Sequence, residues 1–153
     1  MVIAAGAEAP DFTLSDQNGE ELTLSELVAE GPVALVFFPL AFSGICTDEL
    51  CELRDNLSVF ADSKVRLIGI SIDSVYTLKA FTEKEGYDFT FLSDFWPHGA
   101  VAKEYGVFIE EAGIATRATL LIGQDRKVIA SFETSPGEPR DFAAYQEALA
   151  TIA

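Results

Sequence analysis

The chain has 153 residues, of which 49% are hydrophobic, and this suits a single compact domain over residues 1–153 with a substantial buried core. It carries 10 Lys and Arg against 25 Asp and Glu, a formal net charge of -15, so its surface repels polyanions and argues against a nucleic-acid partner. No stretch approaches the roughly 20 consecutive apolar residues of a membrane span, and residues 1–6 lack the basic start of a signal peptide, so we expect a cytoplasmic protein without a membrane partner.

The predicted elements alternate between strands and helices along the chain. An Asn-Gly turn at residues 18–19 between two short apolar segments indicates a β-hairpin, and Ser25 is predicted to cap a short helix that ends at Gly31. The later predicted elements are a buried strand over 33–38, a helix over 44–60, a buried strand over 65–72, a helix from its cap Ser74 to 85, a short strand over 89–92, a short helix over 100–105, a hairpin of 116–122 with 127–133, and a last helix from Pro139 to about 152. This order predicts an α/β, thioredoxin-like fold, in which a central mixed β-sheet is flanked by helices and an N-terminal β-hairpin precedes it.

Cys46 is the candidate nucleophile. It follows the point where the buried strand over 33–38 stops at Pro39 and a turn of small residues leads into the predicted helix over 44–60. A thiol in the first turn of a helix meets unpaired backbone N–H groups and the positive end of the helix dipole, which stabilise the reactive thiolate. The sequence therefore predicts a nucleophilic cysteine.

The two cysteines indicate redox or catalytic chemistry more than a disulfide scaffold, since thiols inside cells are normally kept reduced. A metal site is poorly supported, because the single histidine, His98, lies some fifty residues from Cys46 and Cys51. We expect no metal, haem or flavin cofactor.

Several segments resemble one protein family. The pattern Pro39-x-x-x-Ser43-x-x-Cys46 resembles the peroxiredoxin active-site motif, in which the cysteine is the peroxidatic nucleophile. Together with the segments 92–101 and 105–108, it is similar to the AhpE subfamily of one-cysteine peroxiredoxins, and the similarity covers nearly the whole chain. The resemblance implies a thiol-dependent peroxidase for hydrogen peroxide and organic hydroperoxides, with peroxynitrite as a further candidate substrate. It also implies a homodimer that is reduced by mycoredoxin, thioredoxin or a low-molecular-weight thiol.

The same resemblance implies roles for four other residues. Ser43 would hold the peroxide or the thiolate through its hydroxyl, the Arg117 guanidinium would stabilise the reacting charges, Pro39 would shield the thiolate from water, and Glu49 would orient the arginine. Three of the four have a structural alternative. Ser43 is also a reasonable turn or N-cap residue, Arg117 has many surface carboxylates as partners, and Glu49 also suits a surface position near the helix N-terminus.

Cys51 departs from the AhpE pattern. A cysteine five positions after the nucleophile resembles the resolving cysteine of bacterioferritin-comigratory, or Q-type, peroxiredoxins. On an intact helix, residues five apart have Cα atoms roughly 8 to 9 Å apart, beyond the approximately 7 Å limit for a disulfide. A bond between Cys46 and Cys51 would therefore need local unwinding. The alternative is that Cys51 is a buried helix residue and an external thiol resolves the sulfenic acid.

Other functions of a reactive thiol are a peroxide sensor that relays oxidation to a partner, or a thiol-disulfide oxidoreductase. The latter lacks its Cys-x-x-Cys motif here, and we rank both below the peroxidase. An apolar rim that favours organic hydroperoxides has five candidate residues, most of which are equally compatible with the core: Phe37, Phe38, Leu40, Phe42 and Phe95.

Overall fold

A seven-stranded mixed sheet forms the centre of the computed structural model, which describes residues 2–152. Both ends of the domain predicted over 1–153 thus lie outside the described residues. The strands are β1 (Thr13–Asp16), β2 (Glu21–Thr23), β3 (Val33–Phe37), β4 (Arg66–Ser71), β5 (Thr90–Ser93), β6 (Phe108–Ile109), β7 (Ile114–Ala115), β8 (Arg117–Ile122) and β9 (Val128–Thr134). The helices are α1 (Leu24–Glu30), α2 (Gly44–Asp55), α3 (Leu57–Asp62), α4 (Val75–Glu85), α5 (Ala100–Glu104) and α6 (Phe142–Ala150).

The strand order is β2-β1-β5-β4-β3-β8-β9. β3 and β5 run parallel to β4, whereas β1 against β2 and β5, and β8 against β3 and β9, are antiparallel. In the register of the central strands, Leu35 lies beside Ile68 on one side and beside Leu120 on the other. The predicted mixed sheet with an N-terminal hairpin is confirmed. The separate two-stranded sheet of β6 and β7 was missing from the prediction.

The position of β3 in the sheet explains why its sequence is a continuous apolar run. All five of its residues are buried, and they alternate between two hydrophobic clusters on opposite faces of the sheet. Val33, Leu35 and Phe37 pack with residues of α1 and α5, while Ala34 and Val36 pack with residues of α2, α4 and α6. Because both faces are covered, the strand has no polar side chain, and its carboxyl end delivers the chain directly to Pro39 and the start of α2.

The single helix predicted over 44–60 is wrong, because two helices occupy that range. α2 ends at Asp55, and Asn56, with φ −119° and ψ 25°, separates it from α3. The Glu52 carbonyl accepts hydrogen bonds from both the Asn56 N–H at 3.1 Å and the Asn56 side-chain amide at 2.8 Å, so the last turn of α2 closes on Asn56. The apolar spacing continues across the break, so the pattern in the sequence did not reveal it.

Two predicted helix starts are displaced. α1 begins after Thr23 rather than Ser25, and α6 begins after Asp141 rather than Pro139. The Asp141 carboxylate accepts a hydrogen bond from the Ala143 N–H at 3.1 Å, as an N-cap does. Pro139 instead lies in the segment that leads into α6.

Gly69 in β4 allows a close approach of aromatic rings. A methyl group at this position would lie 2.9 Å from two ring carbons of Phe91, whose ring is itself held by Phe38 and Phe89. We expect Gly69→Ala to lower the free energy of unfolding by about 1 to 3 kcal/mol, because the cluster has no room to move. Urea denaturation would measure it, with Gly137→Ala as the control because no atom lies within 4 Å of its added methyl group. Equal losses in the two variants would contradict the prediction.

Candidate active site

Cys46 occupies the first turn of α2, where the sequence placed it. The helix begins at Gly44 with Ser43 as its N-cap, so Cys46 is the third helical residue and lies near the unpaired N–H groups of the helix start. The side chain is completely buried, and both Cys46 and Cys51 are free thiols. The thiol thus lies at a helix N-terminus, and its burial limits access to it.

A cavity of about 250 Å³ opens beside this turn. Its lining residues are Pro39, Leu40, Ser43, Gly44, Ile45, Arg117 and Pro136. The cavity is thus lined by three residues predicted for the peroxide site, Pro39, Ser43 and Arg117. Cys46 itself is the residue after Ile45 of this lining. Three larger cavities, of about 370, 380 and 300 Å³, lie elsewhere and have no cysteine, histidine or arginine in their linings.

Ser43 is an N-cap by position, but its side chain does not cap the helix. Its hydroxyl oxygen is buried and has no hydrogen-bond partner among residues 2–152. The Ser43 carbonyl, in contrast, accepts hydrogen bonds from the Thr47 N–H and hydroxyl at 2.9 and 2.8 Å. A buried polar group without a partner costs free energy, so the hydroxyl is available for a ligand in the adjoining cavity.

Arg117, the first residue of β8, is buried rather than part of the acidic surface. Its Nε donates to the Pro136 carbonyl at 2.8 Å, and its Nη1 donates to Glu49 Oε1 at 3.3 Å. These bonds use two of the five N–H donors of the guanidinium. The group therefore retains donors for a ligand in the cavity that it helps to line.

Glu49 holds two buried guanidinium groups with one carboxylate. Besides Arg117, it accepts hydrogen bonds from the Arg140 N–H at 2.6 Å and from Arg140 Nη2. Burial alone would raise the pKa of Glu49, but the hydrogen bonds and charge of Arg140, with the charge of Arg117, hold that pKa below its ordinary value. Glu49 is thus not a surface residue, and it lies in the second turn of α2 rather than the first.

Arg140 is a site residue that was not predicted from the sequence. Its Nη1 donates to the carbonyls of Phe37 and Ala118, both at 2.9 Å, so it joins the ends of β3 and β8. Burial disfavours the charged form of Arg140, but Tyr145, Glu49 and Cys46 outweigh it and raise its pKa. An arginine between Pro139 and a helix cap has no local pattern that indicates a buried ion pair.

The loop before α2 is attached to its surroundings by two further contacts. The Ala41 N–H donates to Asp73 Oδ2 at 2.8 Å, which ties the loop to the end of β4. Phe42 adopts φ 69°, a conformation that is costly for a residue other than glycine, and its ring packs on Phe81 with centroids 5.0 Å apart. These contacts fix the turn that presents Ser43 to the cavity.

Cys51 lies on the same helix as Cys46, and α2 is helical throughout this interval. Its thiol is partly exposed, and its Sγ lies 3.5 Å from the Tyr87 hydroxyl. The two cysteines are therefore held apart in this conformation, as the helical spacing predicted.

Only one of the five candidate rim residues lines the cavity, and it is Leu40. Phe37 and Phe38 are completely buried in the core, while Phe42 and Phe95 are exposed outside the lining.

In residues 2–152, no three His, Cys, Asp or Glu side chains are grouped to bind a metal ion. No helix in this part of the chain is long and apolar enough to cross a bilayer.

Comparison with known proteins gives one consistent result. Residues 5–131 match the model of the AhpC/TSA family. The chain is 46% identical over 153 residues to alkyl hydroperoxide reductase E of Mycobacterium tuberculosis, covering 99% of each chain, and 35% identical over 132 residues to peroxiredoxin Bcp of Escherichia coli, covering 82% and 83%. The fold superposes on the crystal structure of peroxidoxin BcpB from M. tuberculosis with a TM-score of 0.85 and 36% identity, covering 98% of this chain and 96% of that one.

Replacing Glu49 by Gln leaves two buried guanidinium groups without their shared counter-charge. We expect the free energy of unfolding at neutral pH to fall by roughly 3 kcal/mol or more. Because the folded pKa of Glu49 is lowered, its charge stabilises the wild type above the unfolded value of about 4.3, and this contribution is lost as the pH falls through the folded value. Urea denaturation across pH would measure the difference, with exposed Glu52→Gln on the same helix as the control. A difference that does not shrink in acid would contradict the prediction.

Proposed function

Because this chain belongs to the AhpC/TSA family and is a thiol-dependent peroxidase of the peroxiredoxin type, we propose that Cys46 is its peroxidatic nucleophile and that Pro39, Ser43 and Arg117 bind the peroxide. The observation that carries this assignment is the unpartnered, buried Ser43 hydroxyl, which shares a cavity with the Arg117 guanidinium beside the turn of Cys46. A donor and a fixed positive charge beside a buried thiol are what peroxide reduction needs.

The reaction begins when the Cys46 thiolate attacks one peroxide oxygen in line with the O–O bond. An S–O bond forms and the O–O bond breaks, which oxidises Cys46 to a sulfenic acid and releases hydroxide or an alkoxide that takes a proton from solvent. The Ser43 hydroxyl and the free N–H donors of Arg117 stabilise the charge that develops on the departing oxygen. Pro39, which is buried, keeps water from the thiolate.

The substrates we propose are hydrogen peroxide and organic hydroperoxides, with peroxynitrite as a third. Organic hydroperoxides are supported by the cavity wall, since Pro39, Leu40, Ile45 and Pro136 present mainly apolar atoms around the two polar groups. The similar alkyl hydroperoxide reductase E carries alkyl hydroperoxides in its name. None of these comparisons favours the peroxide-sensor alternative.

We further propose that Cys51 resolves the sulfenic acid by forming a disulfide with Cys46. Its five-residue spacing and partly exposed thiol support this, and the intact α2 helix means that the step requires local unwinding. An external thiol from mycoredoxin, thioredoxin or a low-molecular-weight compound then restores the enzyme. We also propose that the protein is cytoplasmic and that it forms a homodimer.

The intact mass of the reduced protein, quenched within seconds of adding less than one equivalent of hydroperoxide, tests both cysteine assignments. We expect the wild type to lose two hydrogens, Cys51→Ser to gain one oxygen as a lasting sulfenic acid, and Cys46→Ser to show no change. A gain of oxygen by the wild type would instead assign resolution to an external thiol. Oxidation of Cys46→Ser at the wild-type rate would overturn the assignment of the nucleophile.

Replacing Arg117 by Lys keeps a positive charge but loses the forked N–H donors. We expect kcat/KM for hydroperoxide to fall roughly 100-fold, because the departing oxygen loses a fixed donor. Peroxide consumption with excess dithiothreitol would measure this, and Arg66→Lys, at the exposed start of β4, is the matched control. Equal rates for the two variants would remove Arg117 from the peroxide site.

A further inference from the structure

Tyr87 joins the segment between the two cysteines to a different part of the fold. It follows α4 by two residues, yet its hydroxyl donates a hydrogen bond to the Thr47 carbonyl at 3.2 Å and lies 3.5 Å from Cys51 Sγ. Thr47 and Cys51 are four residues apart on α2, so one hydroxyl group spans a single helical turn from outside the helix.

The direction of the two bonds follows from the proton count. A tyrosine hydroxyl has one proton, and the Thr47 carbonyl accepts it, so the Cys51 thiol is the donor to the Tyr87 oxygen. Burial raises the pKa of Tyr87 well above its ordinary value, so the hydroxyl keeps its proton.

The ring that carries this hydroxyl is fixed by its neighbours. Tyr87 is only 6% exposed, and its ring centroid lies 5.0 Å from that of Phe81, 5.5 Å from Phe91 and 5.7 Å from Phe89. The hydroxyl therefore cannot follow α2 when that helix moves. Unwinding of the turn that contains Thr47 and Cys51 breaks both of its bonds.

We propose that Tyr87 is a positioning residue that holds the Thr47–Cys51 turn in its helical form and thereby slows resolution of the Cys46 sulfenic acid by Cys51. This inference rests on the proposed resolving role of Cys51. Formation of the disulfide needs the two Cα atoms to approach from roughly 8 to 9 Å to less than about 7 Å, so the turn that Tyr87 holds is the one that must open.

The resolving step needs no further reactant. The Cys51 sulfur attacks Cys46 Sγ, an S–S bond forms, the S–O bond breaks, and the oxygen leaves as water with the proton from Cys51. Cys51 is oxidised and the sulfenic sulfur is reduced. A slower resolving step lengthens the life of the sulfenic acid, which a second peroxide converts to a sulfinic acid. Tyr87 thus also increases the susceptibility of Cys46 to overoxidation.

The variant Tyr87→Phe removes only the hydroxyl and is the direct test. After one equivalent of hydrogen peroxide and rapid quenching, we expect its sulfenic acid to become disulfide roughly three- to tenfold faster than in the wild type, the factor for losing one hydrogen bond of ordinary strength. At excess peroxide, the fraction that becomes sulfinic acid should fall. The rate at which the sulfenic acid first appears should change far less, because that step uses the closed helix.

Tyr105→Phe is the matched control. Its buried hydroxyl donates to the Pro10 carbonyl at 2.7 Å, and its ring lies in the hydrophobic cluster on the other face of the sheet. Acceleration of disulfide formation in Tyr105→Phe to the same extent would mean general destabilisation and would overturn the role of Tyr87. An unchanged rate in Tyr87→Phe would overturn it as well.

Hydrogen exchange separates this inference from the proposed role of Cys51. In the Cys51→Ser background no disulfide can form, and we expect added Tyr87→Phe to speed exchange in the peptide that covers residues 47–51 by a similar factor. If the wild-type protein forms no disulfide but Tyr87→Phe still speeds exchange in this peptide, the resolving role of Cys51 is wrong while the stabilisation of the helical turn by Tyr87 is right. Equal exchange rates with and without the Tyr87 hydroxyl would overturn that stabilisation.

Discussion

One carboxylate, that of Glu49, is the interaction on which the site depends. It pairs with Arg117 at the start of β8 and with Arg140 ahead of α6, so it joins α2 to two distant parts of the chain. Two buried guanidinium groups without it would carry an uncompensated charge. Because Glu49 lies three residues after Cys46 on the same helix, this ion-pair network also fixes the nucleophile relative to Arg117 and adds positive charge near its sulfur.

The ion-pair network and the proposed resolving step make opposite demands on α2. In the proposed mechanism, reaction with peroxide uses a closed helix, in which Thr47 donates to the Ser43 carbonyl and Tyr87 donates to the Thr47 carbonyl. Disulfide formation between Cys46 and Cys51 would use an open one. Glu49 also lies between the two cysteines, but its ion pairs are much harder to break than neutral hydrogen bonds, each of modest net free energy. The hydrogen bonds of Thr47 are therefore the ones that break when the helix opens.

Features with local signals in the sequence were predictable, whereas among the long-range contacts of the site only that of Glu49 with Arg117 was expected, and only through the resemblance to a known family. The apolar run of β3 and the Ser74 cap of α4 reflect short-range preferences, and the structure contains both. The motif from Pro39 to Cys46 is contiguous, so it indicated the candidate nucleophile and two of its neighbours. Arg140 was missed, because nothing in its neighbouring residues indicates that it meets Glu49 91 positions away. The break at Asn56 was hidden by apolar spacing that suits one helix as well as two.

The complete burial of Cys46 has a consequence for chemical probes of this enzyme. The adjoining cavity, at about 250 Å³, is smaller than the roughly 300 to 1,000 Å³ typical of sites for drug-sized ligands. A covalent inhibitor too large for this cavity must therefore wait for the helix to open before its electrophile meets the sulfur. In a screen of cysteine-reactive fragments, the labelling rate would report the opening of α2 more than the intrinsic reactivity of the warhead, and compounds that bind the open form would be favoured.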